Sequence, residues 1–162
     1  MKTAIVTDSG SGLNKQQADA LGIYYLPLQI IVNDNMYLDG VDIQGEQIYE
    51  MLKQGEMPTT SMPPMGIIEE LFHKLKKDGY EDVIAIPLTS GLSSTSSVMH
   101  AVAKECELKL HIIETYSTCN IQCYLAKCAQ QLVKQEVAAE EIVKRLQDSV
   151  AHSDTLIIPN DL

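Results

Sequence analysis

Tryptophan is absent from the chain, and Phe72 is its one phenylalanine. The core must therefore be assembled from Ile, Leu, Val, Ala and Met. Positive charge is also scarce, with 12 Lys and Arg against 22 Asp and Glu and a net charge of −10. Nucleic-acid binding needs clustered Lys and Arg to neutralise phosphates, and docking on an anionic membrane needs the same, so this balance argues against both. No apolar run reaches the roughly 18 residues of a membrane-spanning helix, so no membrane insertion is expected. The opening MKTAIVTDSGSG has one Lys and only a short apolar stretch, unlike a secretory signal. A cytoplasmic protein with reduced thiols is the expectation.

Several motifs are missing as well. There is no G-x-x-x-x-G-K-[ST] sequence and no Lys between Lys77 and Lys104, which removes the phosphate loop. The Gly10-Ser11-Gly12 turn lacks the third glycine of a dinucleotide fingerprint. Cys106, Cys119, Cys123 and Cys128 contain no C-x-x-C pair, and they read as small buried hydrophobes rather than metal ligands. Asp39 and Asp42 flank a turn, and the other carboxylates scatter over helix faces, so no catalytic pair is visible. No metal or cofactor is expected.

What remains is the profile of one ordinary domain: 162 residues, 45% hydrophobic and 21% charged. TAIVTD (3–8), DVIAIPL (82–88) and KLHIIET (109–115) are apolar runs without alternation, the mark of strands covered on both faces. Residues 23–33 are β-rich with an edge or bend at Pro27, and MYL (36–38) returns as a hairpin strand after Asn33-Asp34-Asn35. Helices are expected from Asn14 to Leu21, over 45–54, from about Pro64 to Lys77, to about Glu105, and over 119–135 and 139–150. PTTSMPPMG (58–66) reads as an ordered loop, and TLIIP (155–159) as a last strand. The alternation predicts an α/β fold, a mostly parallel sheet flanked by helices.

Ligands of open α/β sheets collect at the carboxyl ends of the strands. TDSGSG, TSGLSSTSS and ETYST each follow a strand, and PTTSMPP can be brought alongside. Ser93 or Ser94 falls at a helix start, where free N–H groups favour an anion such as a carboxylate or phosphate. The alternative is that Ser93, Ser94 and Thr95 simply cap the helix. A serine-dependent hydrolase or transferase is a second alternative. Gly91-Leu92-Ser93-Ser94-Thr95 lacks the second glycine of a nucleophile elbow. His100 lies seven residues on, about 10 Å along the same helix, and His73, His111 and His152 read as structural. Met57, Met62 and Met65 surround PTTSMPP and suit either a core or a flexible apolar ligand.

In order along the chain stand Val6-Thr-Asp-Ser9, Thr60-Ser-Met-Pro63, Ser90-Gly-Leu-Ser93 with Thr95, and Ile113-Glu-Thr115. Together they resemble the DegV family of bacterial fatty-acid-binding proteins over the whole chain. The resemblance implies that residues 1–162 form the first α/β domain of a two-domain protein, with Asn160-Asp-Leu162 leading into the second, which is expected to be missing from this sequence. It implies one long-chain fatty acid, its tail in an apolar tunnel and its carboxylate held by hydroxyls of the first domain and basic groups of the second. It implies that the binding protein is not the catalyst and presents its ligand to a separate fatty acid kinase, the ATP-binding subunit. On matching positions the carboxylate contacts are Thr60, Ser61 and Ser93, with Ser94 through its backbone N–H. The sequence departs from the family pattern at Ser94, where a glycine is usual, and at Pro64, Glu114-Thr115, Ile121 and Cys123. A divergent domain that no longer binds lipid is a further alternative.

Overall fold

Six helices and seven strands follow one another as β1 (Thr3–Asp8), α1 (Lys15–Leu21), β2 (Tyr24–Leu26), β3 (Gln29–Val32), β4 (Asn35–Leu38), α2 (Gly45–Lys53), β5 (Thr59–Ser61), α3 (Met65–Lys77), β6 (Asp82–Ile86), α4 (Thr95–Glu105), β7 (Lys109–Ile112), α5 (Cys119–Lys134) and α6 (Ala139–Ala151). These belong to a computed structural model that describes residues 2–156 and residue 158. The main sheet has the order β2-β1-β6-β7, and every pairing in it is parallel. This is the mixed α/β architecture the alternation predicts.

Strand pleating sends successive side chains to opposite faces, and both faces here are apolar. Ala4, Val6, Val83 and Ala85 pack on one side against Ile68, Phe72 and Leu75 of α3 and Met99 and Val102 of α4. Ile5, Ile84 and Ile86 pack on the other against Leu125 and Ala129 of α5 and Ile142 and Leu146 of α6. Phe72, the lone phenylalanine, is fully buried in the first layer.

Local chemistry explains the boundaries. Asn14 opens α1 with a reciprocal capping box, its Oδ1 accepting the Gln17 N–H at 2.8 Å while Gln17 Oε1 accepts the Asn14 N–H at 3.0 Å. Gly22 closes the helix at φ 76°, a conformation that costs glycine little. Pro27 separates β2, in the main sheet, from β3, in a second sheet of order β4-β3-β5 that is antiparallel throughout. The hairpin between β3 and β4 turns through Asn33 and Asp34, both at positive φ, which these residue types tolerate best after glycine.

The structure corrects several expectations. Residues 58–66 are not all loop, because Thr59–Ser61 pairs with β3 as an edge strand. Its short run of exposed hydroxyls has no apolar periodicity to announce it. The strand β7 is exposed or half-buried rather than buried, since among the described residues it forms the sheet edge and has one neighbour. Pro64 caps α3 from outside, and the helix begins at Met65. Only Cys106 of the four thiols is buried; Cys123 and Cys128 are half-buried and Cys119 is exposed. Met57 and Met65 are exposed as well, which excludes them from the core. The expected strand at 155–159 falls partly outside the described residues, and Thr155 and Leu156 are irregular. The stretch Asn160-Asp-Leu162 lies outside them entirely.

Candidate functional site

The carboxyl rim of the parallel sheet turns polar at the last residue of β1, at Thr89 beyond β6 and at Glu114 beyond β7. At the end of β1, Asp8 is fully buried and collects three donors. Its Oδ1 accepts from the Gly10 N–H at 2.9 Å and from Gln122 Nε2 at 2.8 Å, and its Oδ2 accepts from the Leu88 N–H at 2.8 Å. Burial pushes the Asp8 carboxyl above its usual range, against the pull of those hydrogen bonds. Gln122, on α5, also donates to the Ile86 carbonyl at 3.0 Å, and its own Oε1 has no partner among the described residues.

Glu114, just beyond β7, fastens the neighbouring loops. One oxygen accepts from the Ser90 N–H at 2.9 Å and the other from the Tyr116 N–H at 3.0 Å. Burial alone would raise the Glu114 carboxyl, but these donors outweigh it and hold it below its usual value. Thr118 Oγ1 donates to the Gly10 carbonyl at 3.0 Å, tying the start of α5 to the first turn.

Beside this braced rim lies an open cleft of about 350 Å³, lined by Leu28, Thr60, Ser61, Met62, Leu88, Leu92, Ser93 and Ser94. All four residues singled out from the sequence are here. Thr60 and Ser61 come from the edge strand β5, and Ser93 and Ser94 from the loop before α4. Thr60 and Ser94 are exposed, and Ser61 and Ser93 are half-buried. Of the three methionines, only Met62 lines the cleft.

The donors differ in availability. The N–H groups of Leu92 and Ser93 both donate to the Thr89 carbonyl, at 3.0 and 3.2 Å. Ser94 directly precedes α4, and among the described residues nothing accepts from its N–H. Its hydroxyl donates to Met62 Sδ at 3.4 Å rather than capping the helix. Ser93 Oγ accepts from the Thr95 N–H at 3.2 Å and pairs with Thr95 Oγ1 at 2.7 Å. No lining residue is charged and none is a histidine, so a nucleophilic Ser93 has no base within the cleft.

A larger groove of about 580 Å³ lies at the amino end of β1, among Lys2, Thr3, Tyr24, Tyr80 and Val133. It sits at the opposite end of the sheet from the hydroxyl clusters. We favour the smaller cleft as the candidate site because it occupies the carboxyl rim, where open α/β sheets gather ligands.

Asp8 and Gln122 had no individual role in the sequence reading. The position of Asp8, an acid ending an apolar strand before a Ser-Gly turn, was a usable signal. Gln122 offered none, since one glutamine in an amphipathic helix looks like any other.

Fold and rim together define an α/β domain with a hydroxyl-lined cleft at the carboxyl edge of a parallel sheet. The chain belongs to the DegV family, whose model, described as "Uncharacterised protein, DegV family", matches residues 2–162. A DegV domain-containing protein of Halalkalibacterium halodurans is 32% identical over 163 residues, covering 99% of this chain and 58% of that protein. Protein DegV of Bacillus subtilis is 32% identical over 151 residues, covering 91% of this chain and 53% of that protein. The chain thus spans a little over half the length of the curated relatives it matches. Among solved structures, DegV from Bacillus subtilis, described as a fatty acid binding protein, superimposes with a TM-score of 0.86 at 30% identity, covering 93% of this chain and 54% of that one. A DegV family protein from Thermus thermophilus, described by its fatty acid binding, gives a TM-score of 0.83 at 21% identity, with 93% and 54% covered, and speaks for the fold alone.

Proposed function

We propose that this chain supplies the headgroup-binding half of a long-chain fatty-acid-binding protein. The observation that carries the proposal is the convergence of Thr60, Ser61, Ser93 and Ser94, whose N–H has no acceptor among the described residues, on one cleft with an apolar wall of Leu28, Leu88 and Leu92. A carboxylate is recognised by short hydroxyl and N–H donors, and charge-assisted bonds of this kind are the strong ones. Thr95 is part of the arrangement. If the Thr95 hydroxyl donates to Ser93 Oγ, that oxygen accepts twice and keeps its own hydrogen for the ligand.

The tail dominates the affinity, at about 0.8 kcal/mol for each buried methylene. That suits a chain whose net charge of −10 does not attract an anion over distance. The cleft supplies no cation, and the basic groups implied by the family resemblance are assigned to the second domain of the whole protein. In this reading the protein is cytoplasmic and presents its ligand to a separate ATP-dependent fatty acid kinase without performing chemistry itself.

The test uses the whole protein. Native mass spectrometry should find a co-purified fatty acid, and Ser93→Ala should weaken a fluorescent fatty acid by about tenfold, the cost of one hydrogen bond to a charged group. A lipid-free protein with no affinity for the probe would sink the reading. Unchanged affinity in the variant would remove Ser93 from the site.

A further inference from the structure

Two neighbouring residues of the first turn stay out of the cleft, yet each holds one of its apolar walls. Asp8 is 0% exposed and Ser9 6%. Neither lines the cleft. Asp8 Oδ2 accepts from the backbone N–H of Leu88 at 2.8 Å, and Ser9 Oγ accepts from the backbone N–H of Leu28 at 3.0 Å. Leu88 and Leu28 line the cleft, and they arrive there from different parts of the fold.

Neither amide has a partner in a sheet. The pairing of β1 with β6 ends at Thr7↔Ile86, two residues short of Leu88. Leu28 falls in the gap between β2 and β3, where the chain leaves one sheet for the other. The Leu28 bond is buried and the Leu88 bond partly buried, and an N–H withdrawn from water without an acceptor is costly, so these two side-chain oxygens decide where both backbones settle. The carboxylate is itself held by the Gly10 N–H and Gln122 Nε2, and the Asp8 carbonyl accepts from Ser11 Oγ at 2.9 Å. The brace is therefore anchored to α5 and to its own turn.

We propose that Asp8 and Ser9 are positioning residues for the cleft, Asp8 setting the Leu88 wall and Ser9 the Leu28 wall. This assigns the TDSGSG turn a role other than ligand contact. It rests on the proposed fatty-acid reading only for the identity of the ligand. In Asp8→Asn one carboxylate oxygen becomes an NH2, which repels an N–H donor instead of accepting from it. In Ser9→Ala the Leu28 acceptor disappears with little change of volume.

The test is made on the whole protein, with amide hydrogen exchange followed by NMR and with dansyl-undecanoic acid as the binding probe. Ser9→Ala should speed exchange of the Leu28 amide by about tenfold or more while Leu88 stays protected, and Asp8→Asn should do the reverse. Each should weaken the probe by about tenfold. A merely structural role would speed both amides alike in both variants, and that pattern overturns the proposal. So does an unchanged probe affinity once the named amide has loosened. If Asp8→Asn fails to fold, Ser9→Ala decides alone. A wild-type protein that binds no probe overturns the fatty-acid reading, and the amide pattern then judges the brace by itself.

Discussion

Gln122 is the most revealing residue to replace. It lies fully buried on α5, and its Nε2 reaches three acceptors: Asp8 Oδ1 at 2.8 Å, the Ile86 carbonyl at 3.0 Å and Thr7 Oγ1 at 3.2 Å. Those acceptors dictate which end of the amide is nitrogen, and they leave Oε1 unpartnered. In Gln122→Leu, the bond to the Asp8 carboxylate is worth about 2 kcal/mol and the bond to Ile86 about 1 kcal/mol. The Ile86 carbonyl keeps the Thr7 hydroxyl, which donates to it at 2.7 Å. Removing the unpartnered Oε1 returns about 1 kcal/mol. The net loss is about 2 kcal/mol, a fall in melting temperature of about 4–8 °C for a domain of this size. Gln122→Glu should do worse at neutral pH, because it sets a second carboxylate against Asp8 where charge is already disfavoured by burial. Its folded form must take up a proton, so its deficit should shrink on acidification by more than that of Gln122→Leu, which loses only a donor that favours the charged Asp8. Thermal melts of both variants at pH 7 and pH 5 make the comparison. A Gln122→Leu protein as stable as wild type would refute the reasoning, as would a Gln122→Glu deficit that ignores pH.

Two further outcomes test the fold itself. Phe72→Ala opens a cavity in the layer between the sheet and α3, where Phe72 is fully buried, and should cost about 3–5 kcal/mol in urea unfolding. Asp82, 2% exposed at the start of β6, meets His111 Nε2 at 2.7 Å and Lys109 Nζ at 3.0 Å. Burial alone would lift the Asp82 carboxyl, but those partners outweigh it and hold it below its usual 3.8. A lowered folded value means that this stability is fully present above the ordinary value and is lost as pH falls through the folded one. The gap in stability between wild type and Asp82→Asn should therefore be widest near neutrality and shrink below about pH 3.8; a constant gap would remove the ionic contribution.

The parallel sheet and most helices could be read from the sequence because their signals are local and repeated. DVIAIPL is apolar at nearly every position because β6 is covered on both faces, and Asn14 and Gly22 bracket α1 with residue types chosen by backbone geometry. KLHIIET looks the same as DVIAIPL on paper. What separates them is the number of neighbours, one for β7 and two for β6, and that is a property of the finished sheet. Thr59–Ser61 escaped for a related reason, since an edge strand of hydroxyl residues is defined by its pairing with β3 and not by its own composition.

The candidate site was legible as a set of residue types but not as a division of labour among them. Topology sends TDSGSG, TSM, SGLSS and ETYST to one rim, and hydroxyl content alone makes all four candidate contacts. Hydrogen-bond saturation separates them. Asp8, Ser9 and Ser11 are buried and turned toward their own chain. Thr115 Oγ1 donates to the Ser117 carbonyl at 3.2 Å, and Ser117 Oγ pairs with Thr155 Oγ1 at 2.6 Å. Thr60, Ser61, Ser93 and Ser94 face the cleft instead, and there the Ser94 N–H is unspent among the described residues. A polar atom whose valences are filled inside the fold has little to offer a ligand, whatever its position on the rim. The backbone N–H of Ser94 does not depend on its side chain. Ser94 is therefore a better candidate than its residue type suggests, and its side chain bears on the shape of the cleft rather than on this N–H donor.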